Sequence, residues 1–124
     1  MSRTLVIAIF SLILLSMLSV TTWASLDRSV VKAGPELWPH RWFQATLADA
    51  YFGFLTFFVW VAWRERSCPR RVVWFIAIML LGNIAMSLYV LWQVTRMGDS
   101  YSIERLLLGD RHPSPEANGG EPRD

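Results

Sequence analysis

Residues 42–63, "WFQATLADAYFGFLTFFVWVAW", decide the fold, because they form a long apolar run that contains a single carboxylate, Asp49. A helix over this run is about 33 Å long at about 1.5 Å per residue, which is enough to cross a hydrocarbon layer of about 30 Å. The surface helix of a soluble protein carries polar or charged residues along one whole face. The run therefore predicts a transmembrane helix.

Two more segments without charge flank this run. No charged residue lies between Arg3 and Asp27 or between Arg71 and Arg96. Residues 4–26 and 72–95 predict helices of about 34 and 36 Å, again long enough to span. The fold class predicted is all-α: a three-helix transmembrane bundle within residues 1–98, with short loops.

The tryptophans supply a second indication of a membrane, because indole rings favour the headgroup level. Each of the seven lies near an end of a predicted span or just outside it. Three spans would place them in two belts, with Trp23, Trp38, Trp42 and Trp92 on one side and Trp60, Trp63 and Trp74 on the other.

The first span has an alternative interpretation. Arg3, an apolar run and the small residues Thr22 and Ala24 also fit a signal peptide cut after Ala24. The apolar run exceeds the usual length of about 7–15 residues for such a peptide, so an uncleaved span is favoured.

Arginines set the predicted orientation. The short connector at 64–71 carries four of them, Arg64, Arg66, Arg70 and Arg71, and the positive-inside rule places this connector in the cytoplasm. The prediction is a multi-pass protein of the cell membrane (the inner membrane in a bacterium). Its N-terminus lies in the cytoplasm and its C-terminus outside.

The chain after the third span changes in composition. Residues 99–110 predict a short interfacial helix, because Asp99 or Ser100 would cap it and Ile103, Leu106 and Leu107 share one helical face. Residues 111–124 are rich in proline, glycine and charge, and they predict a disordered tail.

Polar side chains inside the spans are the candidate functional residues. Asp49 shares a stripe of its helix with Thr46 and Gly53, and small or hydroxyl residues on such a stripe let helices approach closely. Hydroxyl groups at matching depth on the other spans predict an intramembrane polar cluster, whose candidates are Asp49, Ser19, Thr46, Asn83, Ser87 and Tyr89. The cluster is expected to fix the helices together. Alternatives are a proton, cation or small-ligand site, or an interface with another membrane protein.

Other function classes find little support. The net charge of +2 is too small to indicate a nucleic-acid partner. No paired nucleophile and base is present, and the single Cys68 and two histidines have no metal-ligand spacing, so we expect no enzyme, cofactor or metal. The predicted function is a structural or accessory membrane component, with the lipid bilayer and another copy or a larger complex as partners. The alternative is an oligomeric proton, cation or small-solute transporter that uses Asp49.

The stretch "WFQATLADAYFGFLTFFVWVAWRE" resembles a family of small membrane proteins from plants and bacteria that is known only as a domain of unknown function. The resemblance covers about a fifth of the chain. The matching residues are Trp42, Ala45, Thr46, Leu47, Asp49, Tyr51, Val59, Trp60, Val61, Ala62, Trp63, Arg64 and Glu65. A weaker match includes Gly82 and Tyr89, and Gly53 departs from a position that is often polar in the family. The resemblance implies a three-span fold and a membrane location, and no particular reaction.

Overall fold

A computed structural model describes residues 1–109, and every regular element in that part of the chain is helical. The predicted tail at 111–124 lies outside the described residues. In chain order the α-helices are α1 (Arg3–Asp27), α2 (Val30–Leu37), α3 (Arg41–Arg64), α4 (Cys68–Leu81), α5 (Asn83–Met97) and α6 (Ile103–Leu108). One 3-10 turn, Gly98–Ser100, leads from α5 toward α6, which lies within the region predicted as a short helix.

Helices α1 and α3 occupy the first two predicted spans. The Ser2 hydroxyl accepts the Leu5 N–H and so caps the start of α1, as serine commonly does. Both helices are long and apolar enough to cross a membrane, and no other helix among the described residues is. The expected bundle of three spans is therefore not seen.

Gly82 divides the third predicted span, 72–95, into two shorter helices. Its φ of 54° and ψ of −125° lie in a region that glycine enters without a steric penalty. The Gly82 N–H still donates to Ile78 O, and the Gly82 carbonyl accepts from the Met86 N–H. The same residue thus ends α4 and begins α5. These helices have 14 and 15 residues, so they are about 21 and 22 Å long, too short to cross about 30 Å of hydrocarbon.

The chain reverses direction at Gly82, and α4 and α5 form an antiparallel helical hairpin. Trp74 of α4 lies beside Trp92 of α5, with ring centroids 5.8 Å apart, although the turn separates them in sequence. This corrects the predicted tryptophan belts, which placed Trp92 on the opposite side from Trp74. The tip of the hairpin lies level with the middle of α3, where the Phe54 ring covers Gly82.

The reversal also changes where the chain after α5 lies. Val6, near the start of α1, is buried against Val90, Val94 and Met97 of α5. The Tyr101 hydroxyl donates to the Met1 carbonyl at 3.2 Å. Residues 97–109 therefore lie at the same end of the molecule as Met1, whereas three full spans would have put them at the other end.

Helix α6 closes this end of the protein. The Trp60 indole N–H donates to Leu107 O at 3.0 Å, and Arg64 Nε donates to Leu106 O at 2.9 Å. Leu106 is buried in the same apolar cluster as Val6. Consequently the start of α1 and the ends of α3 and α5 meet at one end.

Beyond the hairpin tip, α1 and α3 continue without α4 or α5 beside them. Trp23, Leu26 and Trp42 are exposed there. Helix α2 joins the two long helices at this far end, and an ion pair between Arg28 and Glu36 ties it to the end of α1. The protein thus has one packed, arginine-rich end and one sparsely packed end where large apolar side chains are exposed.

Candidate functional site

Glu65 lies directly after the last residue of α3, and its side chain is buried although it carries a carboxylate. Only 6% of the residue is exposed. Glu65 Oε1 accepts hydrogen bonds from Tyr89 Oη at 3.0 Å and from Gln93 Nε2 at 3.1 Å. Tyr89 and Gln93 are four residues apart on α5, so they share one helical face. A buried carboxylate needs such donors, since burial without them is costly.

Aromatic rings surround the Tyr89 phenol that donates to this carboxylate. The Trp74 and Trp60 rings lie 4.9 and 5.7 Å from the Tyr89 ring, each edge to face. Phe57 completes the enclosure at 6.3 Å. Edge-to-face packing of this kind fixes the ring orientation, and therefore the direction in which the hydroxyl points.

Arginines approach Glu65 from the start of α4. Arg71 Nε donates to the Glu65 backbone carbonyl at 2.7 Å. Arg70 Nη1 lies 3.9 Å from Glu65 Oε2, which is a long ion pair, and the Arg70 side chain is 57% exposed. Arg71 thus holds the connector in place, while more than half of the Arg70 side chain stays in contact with solvent.

An open cleft of about 350 Å³ lies beside Glu65 at this end of the protein. Its charged lining consists of one carboxylate, Glu65, and five arginines: Arg64, Arg66, Arg70, Arg96 and Arg105. The Gln93 amide and Ser67 add polar groups. We call this the arginine cleft. Guanidinium groups bind phosphate and carboxylate oxygens through paired N–H donors, so the cleft has the chemistry of an anion site.

The basic connector predicted at 64–71 contributes to this cleft. Of the four arginines in the predicted cytoplasmic connector, Arg64, Arg66 and Arg70 line it, and Arg71 lies against the Glu65 backbone. Arg96 and Arg105 were not expected here, because a third full span would have carried both to the far end.

The structure does not bring the candidates of the predicted intramembrane polar cluster together among residues 1–109. Asp49 is exposed, and it makes no hydrogen bond or ion pair with any of residues 1–109. Ser19 Oγ donates to Leu15 O, and Thr46 Oγ1 donates to Trp42 O, both at 2.8 Å and within their own helices. The hydroxyl groups expected to face Asp49 are thus satisfied locally.

The cluster candidates on the third segment lie elsewhere because of the hairpin. Ser87 and Tyr89 are buried on α5, and Tyr89 donates to Glu65 rather than to Asp49. Asn83 is exposed at the hairpin tip. The prediction placed these residues at the depth of Asp49 by assuming that residues 72–95 form one straight helix across the membrane. The helix is instead interrupted at Gly82, so that assumption is wrong.

Glu65 itself was missed as a site residue. It stands beside Arg64 and Arg66 in a short connector, a context that usually indicates a solvated charge. The available signal was a lone carboxylate among four arginines next to an apolar run.

Within residues 1–109 no group of three His, Cys, Asp or Glu residues is placed to hold a metal ion. The Cys68 thiol is free and exposed.

Comparison with known proteins places the chain in one family. No curated protein and no solved structure matches it. A family described as "Protein of unknown function (DUF1475)" matches over residues 2–114, which covers every helix described above. This agrees with the expected uncharacterised family and leaves its number of spans open. The chain belongs to the DUF1475 family of proteins of unknown function.

Proposed function

We propose that the protein is a small integral membrane protein with an accessory role, anchored by α1 and α3. The observation that carries this proposal is how little of these helices the protein itself covers: 6% of the most apolar part of each is buried. Leu12 and Leu15, for example, are 67% and 62% exposed. Contiguous apolar surface of this extent is rare on soluble proteins, and lipid would cover it.

In the proposed arrangement α4 and α5 enter the membrane from one side and return to the same side. A helix break at membrane depth is tolerated when its backbone groups find partners, and both Gly82 groups do. Arg3, the connector arginines and Arg96 then share one side, which the positive-inside rule assigns to the cytoplasm. The N-terminus and residues 97–109 are thus cytoplasmic, and α2 lies outside.

Reporter fusions test this topology. A reporter that is active only in the cytoplasm should work when fused after Asp124, and one that is active only outside should work when inserted after Lys32. The expectation follows from the even number of membrane crossings in the proposed arrangement. Outside activity of a reporter fused after Asp124 would show that residues 68–97 cross the membrane, and would refute the proposal.

We further propose that α1 stays attached rather than being removed as a signal peptide. Val6 is 1% exposed and packs in the cluster formed with α5 and α6. Cleavage after Ala24 would remove this contact and open the apolar face of α5. Burial of that face supports retention of α1 as a membrane anchor.

The accessory role is preferred to a transporter that uses Asp49. No described side chain lies within hydrogen-bonding or ion-pairing distance of that carboxylate. We assign no catalysis, cofactor or nucleic-acid partner to the protein. A second copy or a larger membrane complex is the proposed partner, since α1 and α3 leave large apolar faces uncovered.

Replacement of Asp49 by leucine should leave the amount of protein in the membrane unchanged, because no interaction within the chain is lost. Quantitative immunoblotting of membrane fractions measures this. Asp49→Asn should be equally silent in growth at different pH values or ion concentrations. Loss of a pH- or ion-dependent phenotype in Asp49→Asn, at normal abundance, would favour the transporter instead.

A further inference from the structure

The arginine cleft gathers cationic side chains from separate parts of the chain. Arg64 comes from the end of α3, Arg66 from the connector, Arg70 from α4 and Arg96 from the end of α5. Arg105 joins them from α6. Such convergence depends on the hairpin, because only the reversal at Gly82 returns Arg96 to the connector.

Among residues 1–109, the positive charge in the cleft is only partly balanced. Glu65 is the one carboxylate that the described residues contribute to its lining, and Oε1 of that group already accepts two hydrogen bonds. Arg66 makes no hydrogen bond or ion pair with any residue of the described part. Arg96 lies over the Trp92 ring, with Cζ 4.7 Å from the centroid, which leaves the edge of its guanidinium free to donate. Like charges held together repel, so an anion between them would stabilise this arrangement.

The position of the cleft indicates which kind of anion lies close to it. It opens at the end of α3, where the apolar run stops and Arg64 begins a basic connector. In a bilayer this is the level of the lipid headgroups, and the cytoplasmic leaflet is the one enriched in anionic lipid. A volume of about 350 Å³ suits a headgroup phosphate with its glycerol rather than a whole acyl chain.

We propose that the arginine cleft binds the phosphate group of an anionic phospholipid headgroup, held by Arg66, Arg70 and Arg96. The inference rests on the proposed membrane location. Phosphate oxygens accept paired N–H bonds from guanidinium groups, which an ammonium group cannot reproduce. Lipid bound in this way would bridge the connector and the end of α5, and so hold the hairpin closed.

Native mass spectrometry of the full-length protein in a non-ionic detergent tests the proposal. Phosphatidylglycerol, phosphatidylcholine and inorganic phosphate are added separately, and the bound fraction is measured. One phosphatidylglycerol should bind per protein with at least about tenfold higher affinity than phosphatidylcholine, since only the first has net charge. Inorganic phosphate should bind more weakly than phosphatidylglycerol, because it lacks the glycerol and the chains.

Variants locate the binding. The double variant Arg66→Gln, Arg96→Gln should weaken phosphatidylglycerol binding at least about tenfold, through loss of two charge-assisted contacts. Arg66→Lys, Arg96→Lys keeps the charge and should recover only part of the affinity. The matched control is Arg41→Gln, an exposed arginine at the opposite end of α3. The thermal unfolding temperature of each variant without lipid shows whether it is folded.

Three outcomes would overturn the proposal. If Arg41→Gln weakened phosphatidylglycerol binding as much as the double variant does, the attraction of anionic lipid would be non-specific. Phosphate binding as tight as that of phosphatidylglycerol, and lost in the double variant, would make the ligand a soluble phosphate. Unchanged lipid binding in a folded double variant would place the lipid elsewhere. None of these bears on the reporter fusions, so failure here and failure of the proposed topology remain distinguishable.

Discussion

Replacing Gly82 with leucine should join α4 and α5 into one helix and carry the chain after Met97 across the membrane. A residue with a side chain meets two obstacles at this position. Its φ of 54° and ψ of −125° lie in a region that costs a residue with a side chain about 1–3 kcal/mol, and an added Cβ would lie 2.6 Å from Cζ of Phe54. A continuous helix over 68–97 avoids both and is about 45 Å long, more than enough to span.

The measurement is the reporter fused after Asp124, which should change from cytoplasmic to outside activity. Gly53→Leu is the matched control, because that glycine lies within α3 and an added Cβ there meets nothing within 4 Å. The control should keep the original topology. Pulse-labelling with short chase times scores topology before a poorly folded variant is degraded. Cytoplasmic activity of Gly82→Leu at normal abundance would show that the hairpin does not depend on glycine.

Replacing Glu65 with leucine should destabilise the protein more than any change at Asp49. The substitution leaves Tyr89 Oη and the Gln93 amide without their common acceptor in a buried site. Each buried polar group left unpaired costs about 1–3 kcal/mol, and typical folding free energies are only about 5–15 kcal/mol. The expected result is a lower thermal unfolding temperature in detergent and less protein in the membrane.

Matched variants distinguish the stability lost with the hydrogen bonds from the stability lost through any other effect of changing the side chain. Glu65→Gln keeps an oxygen acceptor and should lose less stability than Glu65→Leu. Tyr89→Phe removes one donor, so the double variant Glu65→Leu, Tyr89→Phe should cost less than the sum of the two single changes. Strict additivity, or a larger loss in Asp49→Leu than in Glu65→Leu, would contradict the role assigned to this buried carboxylate.

The two long helices could be predicted from sequence because length and hydropathy alone determine them. The runs at 4–26 and 42–63 have no competing interpretation as strands or amphipathic helices, and α1 and α3 extend one residue beyond each end of these runs. Their mutual arrangement was not predictable, since apolar faces of similar composition do not specify which helix packs against which.

The third segment shows where hydropathy fails. Residues 72–95 are as apolar as a span, and glycine is common within transmembrane helices, so Gly82 gave no strong signal. What matters at Gly82 is a backbone dihedral, and a hydropathy profile contains no dihedral information. The Phe54 ring that covers this glycine belongs to another helix, so the reason for the turn is a tertiary contact.

The site was harder to predict because it too depends on tertiary contacts. Asp49 attracted attention because a carboxylate in an apolar run is costly, whereas Glu65 beside arginines looked ordinary. In the structure Glu65 is the buried carboxylate, packed against α5, and Asp49 is the exposed one. Only a folded chain could show that Arg96 joins the connector, because the two are distant in sequence and meet through the hairpin.

The half-length hairpin also gives the protein an uneven lateral area. Phe54, at the tip, is about 15 Å along α3 from Arg64, which is half the thickness of the hydrocarbon layer. In the proposed topology α1, α3, α4 and α5 displace lipid from the cytoplasmic leaflet, while only α1 and α3 displace it from the other. A wedge of this shape fits best where the cytoplasmic leaflet is stretched, so the protein should concentrate on membrane that bulges toward the cytoplasm.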